Sequence, residues 1–105
     1  MTSKYRAKPV EIDGIRFASQ REGKRYSELK LLERAKQISG LTLQPRYSLI
    51  VNGHKVCTYV ADFSYFDEKT RKMVTEDSKG FRTKDYAIKR KLLLALNPGM
   101  DHREV

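Results

Sequence analysis

The chain has 105 residues, enough for one domain and too few for two of ordinary size. Hydrophobic residues make up 39% and charged residues 33%, too apolar a balance for a wholly disordered chain, and the single cysteine, Cys57, excludes both an internal disulfide and a cysteine-built zinc site. Twenty-two basic residues against thirteen acidic ones leave a net charge of +9, which points to a polyanionic partner, nucleic acid above all.

Residues 1–8 are basic, lack apolar periodicity and read as an arm without the apolar core of a secretory leader. Residues 10–17 alternate around Asp13-Gly14, a favourable turn pair, and predict a small hairpin. A helix is predicted over 19–39. Ser19 and Glu22 form a capping box, Gly40 supplies a stop, and Tyr26, Leu29 and Leu32 fall on one stripe. Two strands follow, 41–51 and 55–66, joined by Asn52-Gly53, the strongest short hairpin signal. Residues 67–71 read as a charged turn and 72–79 as a third strand ended by Gly80. Thr83 caps a second helix to Leu96, stopped by Asn97-Pro98-Gly99. Its apolar arc is Ile88, Leu92, Leu93, Ala95 and Leu96, with Lys89 inside it. The longest Leu/Ala run, 92–96, is far short of a membrane span, and 100–105 reads as a last short strand. The order helix, three strands, helix, strand predicts an α/β domain: a mixed sheet with helices packed on it.

Charge is uneven: +5 over residues 1–40, +1 over 41–80 and +3 over 81–105, so the acids concentrate in the middle. Asp62 stands in Tyr59-Val60-Ala61-Asp62-Phe63, an otherwise apolar strand where an unpaired charge is costly to bury. Asp77 and Lys79, two residues apart, share one face of the third strand about 6.6 Å apart, and Glu76 points to the other face. If the two strands are neighbours, Asp62 and Asp77 converge with Lys79 beside them. Paired carboxylates suit a hard divalent cation such as Mg²⁺, which keeps several waters and accepts a phosphate. A nearby lysine orients the attacking water or neutralises developing charge. The plainer account of each residue is a surface ion pair, common and weak.

Glu22 also has two readings. The capping box alone explains it, yet it shares a face with Tyr26 and Leu29 and so turns toward the sheet. Glu33 lies on that face about 16 Å further along and exchanges roles with Glu22 if the sheet runs the other way. Arg21, Lys24 and Arg25 on the first helix, Lys84, Lys89, Arg90 and Lys91 on the second, and Lys4, Arg6 and Lys8 on the arm are candidate DNA contacts. Together they predict salt-dependent binding. No base-reading motif is visible, so DNA shape is the expected target. Lys89 otherwise snorkels from the apolar arc, and Gln44 is an edge-strand polar residue or a support to the site. His54 and His102 read as a turn and a tail residue, and Cys57, on the face of Tyr59, as a buried or interface thiol.

Asp62 followed by Asp77-Ser78-Lys79 resembles the PD-(D/E)XK nuclease motif. With Ser19-Gln20-Arg21-Glu22 upstream and a basic helix downstream, the pattern is similar to short phage-type Holliday-junction resolvases. The chain also resembles an uncharacterised family of small, basic, phage-encoded proteins placed in that superfamily. Phe17-Ala18-Ser19, the run 26–33, Leu43-Gln44-Pro45-Arg46 and Tyr59-Val60-Ala61-Asp62-Phe63 carry that likeness, which covers roughly residues 4–96. The resemblance implies a restriction-endonuclease-like core in the order α-β-β-β-α-β. It implies that Asp62 and Asp77, with Glu22, ligate Mg²⁺ (Mn²⁺ substituting) and that Lys79 is catalytic. It also implies a homodimer that cuts branched DNA symmetrically, in the host-cell cytoplasm if the protein is viral. The motif's proline is Ala61 here and its second acid is Asp77 rather than the commoner Glu; neither departure implies a dead site. The expectation is a Mg²⁺-dependent, structure-selective DNA endonuclease, a Holliday-junction resolvase. The alternative is a basic DNA-binding accessory protein that kept the fold without the chemistry.

Overall fold

The computed structural model describes residues 8–78 and 83–105. Lys4 and Arg6 of the arm, and Lys79, lie outside them. The hairpin expected at the start forms as β1 (Val10–Ile12) and β2 (Ile15–Phe17). Its turn residues Asp13 and Gly14 both have positive φ, 54° and 75°, which matches the strand twist and favours this pair. Helix α1 (Gln20–Arg34) starts where expected, with the Ser19 hydroxyl accepting from the Glu22 amide at 3.1 Å.

The end of α1 corrects the expected helix over 19–39. Lys36 takes the left-handed conformation at φ 63°, and the Gln37 and Lys36 amides return to the carbonyls of Leu32 and Glu33 at 2.9 and 3.0 Å. That is a Schellman close with lysine where glycine is usual. The residues released become β3 (Ile38–Leu43), and Ile38 is buried. Gly40 stops no helix. It sits in β3 at φ 65°, where the register against the partner strand shifts.

The two long strands expected next are each broken in the middle. Gln44 at φ 48° and Pro45 separate β3 from β4 (Arg46–Val51), and Ala61-Asp62 separates β5 (His54–Val60) from β6 (Phe63–Asp67). The breaks face each other: the Gln44 amide donates to the Asp62 carbonyl at 2.9 Å and the Ala61 amide to the Pro45 carbonyl at 3.2 Å. Strands β4 and β5 thus leave as a separate two-stranded ribbon, turned by Asn52-Gly53. The main sheet runs β3-β6-β7-β8, with β7 (Lys72–Asp77) antiparallel to β6 and parallel to β8 (Asp101–Glu104). Helix α2 (Lys84–Leu96), capped by Thr83, makes the crossover between them. The fold is the expected α/β class with a mixed sheet. The turn at 67–71 also forms as expected, with the Asp67 carboxylate accepting from the Lys69 and Thr70 amides.

Two cores hold these layers. Phe17, Tyr26, Leu29, Ile38, Phe63, Tyr65 and Val74 join α1 to the main sheet. Leu49, Tyr59, Ala61 and Leu93 join α2 to the ribbon. The apolar arc of α2 is only partly used, because a two-stranded ribbon is narrow: Leu93 is buried while Ile88 is 65% exposed. Among the described residues no helix is long and apolar enough to cross a membrane.

Two substitutions test this local account by urea unfolding. Lys36→Gly removes the left-handed strain and should stabilise by about 0.5–1 kcal/mol. Gly23→Ala would set a Cβ 2.6 Å from Val10 Cγ1 and 3.0 Å from Ile12 Cδ1. It should destabilise by about 1–3 kcal/mol despite the better helix former.

Candidate active site

The paired strand breaks leave a cavity of about 140 Å³ beside the start of α1. Glu22 from the first turn of α1, Asp62 from the β5–β6 break and Gln44 from the β3–β4 break all line it, over the rings of Phe17 and Phe63. The Ser19 cap and the place of Glu22 on the cavity therefore hold together. Asp62 is fixed at both ends. Its amide donates to the Glu76 carbonyl at 3.0 Å, and its Oδ2 accepts from the Ser78 amide at 2.6 Å. The carboxylate is thereby tied to the backbone one residue before Lys79.

Asp77 is placed differently. It is fully buried, and its Oδ2 accepts from the Tyr59 hydroxyl and lies 3.5 Å from His102 Nε2. It is not among the residues lining the Glu22–Asp62 cavity. Among the described residues no three His, Cys, Asp or Glu side chains gather closely enough to hold one metal ion. His102 is no tail residue: β8 sets it beside Thr75, with its side chain 1% exposed. Its Nδ1 lies 2.7 Å from Thr75 Oγ1 and its Nε2 2.9 Å from the Tyr86 hydroxyl, which donates to Glu104 at 2.7 Å. Burial lowers the His102 pKa against the pull of Asp77 and Glu104. Burial raises that of Tyr59, as does its bond to Asp77.

Glu76, set aside from the sequence as facing away, is the best-held acid of the region. It is fully buried, two residues along β7 from Val74 of the first core. Arg25 grips it with Nε at 2.7 Å and Nη2 at 2.6 Å, and the Tyr65 hydroxyl donates to Oε2. Its hydrogen bonds to Glu76 raise the Arg25 pKa further. Arg25, expected on DNA, is held by Glu76 while it lines one cleft with Arg21 and Lys24. The signal was available: Val74 and Glu76 alternate on one face, and a carboxylate on a core face demands a cation.

The family model described as "Protein of unknown function (DUF1064)" matches residues 2–101. The chain belongs to the DUF1064 family. No curated protein and no solved structure matches it. The DUF1064 match takes in Glu22, Asp62, Glu76, Asp77 and Lys79.

The other candidates of this DUF1064 chain lie elsewhere in the fold. Glu33 sits at the far end of α1, accepting from the Leu41 amide and Lys30, both at 3.1 Å; the amide first, then the lysine, lower its pKa. Glu22 is therefore the helix acid beside Asp62. Arg21, which also donates to the Val105 carbonyl at 2.6 Å, and Lys24 line a cleft with Ser78. Lys89 lines a cavity with Tyr59 and Tyr86, while Lys84 and Arg90 lie on the same helix. Cys57 packs half-buried against the second core, as expected, and His54, expected in the turn, instead opens β5 opposite Val51.

Burial, then bonds to Glu76 and Glu104 respectively, raise the pKa of Tyr65 and Tyr86. Their unfolded phenols ionise near pH ~10. The native state holds their protons longer, so stability is full below that pH and falls as pH rises above it. Unfolding free energy should decline above pH ~10. Tyr65→Phe should flatten the decline while costing about 1–3 kcal/mol at neutral pH by taking a donor from Glu76.

Proposed function

We propose that this DUF1064 protein is a divalent-cation-dependent DNA endonuclease that prefers branched DNA, a Holliday-junction resolvase. The observation that carries the reading is the meeting of Glu22 and Asp62 on one cavity, from elements 40 residues apart in a chain of charge +9. Two carboxylates with an amide side chain, Gln44, fit Mg²⁺, which takes hard oxygen donors and leaves positions for water and phosphate. Bound there, the cation would supply charge stabilisation at a scissile phosphate and a more acidic water. Glu22 and Asp62 would hold it, and Asp77, next to the Ser78 amide that anchors Asp62, is the third acid of this reading. Lys79 would orient the water or meet the developing charge. Arg21, Lys24, Lys84, Lys89 and Arg90 would grip the DNA backbone. A homodimer would place two such sites across a junction.

One observation favours a second reading, a non-catalytic DNA-binding accessory protein. Asp77 is held by Tyr59 and His102 rather than presented to the cavity of Glu22 and Asp62.

Cleavage of a labelled four-way junction, a flap, a plain duplex and a single strand, with Mg²⁺ and with chelator, separates the two. The nuclease reading expects cation-dependent junction cutting that falls at least ~100-fold in Asp62→Asn and Lys79→Ala. Equal cutting of plain duplex would remove the junction preference. Binding without cutting in all three proteins would leave the accessory reading.

A further inference from the structure

A fully buried ion pair is poor evidence of stability, since apolar residues of similar size often serve as well or better. Its value lies in fixing one arrangement over others. The Glu76–Arg25–Tyr65 cluster has such an arrangement to fix. Helix α1 packs chiefly on β1, β2 and β3. Arg25, one turn after Glu22, ties it to β7 through two charge-assisted bonds. The same Glu76 accepts the Asp62 amide through its carbonyl at 3.0 Å. One residue of β7 therefore holds both acids that line the cavity: Asp62 through its backbone, and Glu22 through the helix that Arg25 anchors.

We infer that Glu76 is the positioning residue of this site, setting where Glu22 stands relative to Asp62 through Arg25. The inference rests on the reading that those two acids hold a divalent cation. Glu76 touches neither the cavity nor a substrate, so its action is indirect. The two-pronged grip is specific to arginine: a lysine keeps the charge but not the fork that fixes the helix in rotation. Glu28, the other partner of Arg25 at 3.1 Å, is 48% exposed in its side chain and plays no such part.

The test is calorimetric titration of Mn²⁺ into wild type, Glu76→Gln, Arg25→Lys and Glu28→Gln, each first checked for cooperative thermal unfolding. Glu76→Gln should weaken Mn²⁺ binding by about 10–100-fold while the protein stays folded, as loss of a supporting group does at metal sites. Arg25→Lys should weaken it in the same direction, and Glu28→Gln should match wild type. A purely structural role would lower the melting temperature and leave the folded protein's Mn²⁺ affinity unchanged, which would overturn the inference. If Glu76→Gln does not fold, Arg25→Lys decides by the same criterion. Absence of Mn²⁺ binding in wild type would overturn the cation reading itself, and the inference with it.

Discussion

A carboxylate near the end of β7, sealed from water, must be satisfied by the protein itself. Glu76 meets that demand with a two-pronged arginine from α1 and a tyrosine from β6. Removing one partner of such a buried pair costs on the order of 3–5 kcal/mol, because the other charge is left without compensation. The helix therefore cannot slide or roll on the sheet freely. Its rotation is fixed where Glu22 leaves its first turn.

The second constraint is the pair of facing breaks. Pro45 has no amide to give, and Gln44 beside it turns through positive φ. The opposite chain breaks at Ala61-Asp62, and two hydrogen bonds lock the breaks together. Had the hairpin run straight, Asp62 would be one more residue of a continuous strand. The bend instead opens a cavity there and carries the ribbon away to pack on α2. One core thus lies between α1 and the main sheet and the other between α2 and the ribbon, and consecutive acids of β7 enter different surroundings: Glu76 meets Arg25, and Asp77 meets Tyr59 and His102.

What the sequence revealed follows the range of the forces involved. The Asp13-Gly14 and Asn52-Gly53 turns and the Ser19 and Thr83 caps depend on a few adjacent residues, and all four form as read. The end of α1 was hidden because Lys36 adopts the conformation usually reserved for glycine, while the nearby Gly40 offered a false stop. The strand breaks were hidden because β-rich composition ran through them. Arg25 and Glu76 are 51 positions apart: alternation with Val74 signals that Glu76 needs a cation, but nothing local names Arg25 as that cation. His102 gains its burial from a parallel pairing that only the crossover through α2 creates. Of the site, the inward face of Glu22 was readable from the helix stripe and the unusual setting of Asp62 from an acid in an apolar strand, while their meeting followed from the family resemblance alone, with Glu33 as the alternative to Glu22. The grip of Tyr59 and His102 on Asp77 was not, since both faces of β7 are covered and alternation alone does not say by what.

Glu22 and Asp62 on one cavity, with the Arg25–Glu76 pair behind them, form the proposed cation site. Its most direct test is the anomalous diffraction of crystals grown with Mn²⁺. The account predicts a Mn²⁺ peak in the cavity, bonded to carboxylate oxygens of Glu22 and Asp62. A cavity without the ion in such crystals, or a Mn²⁺ held by other residues, would contradict it.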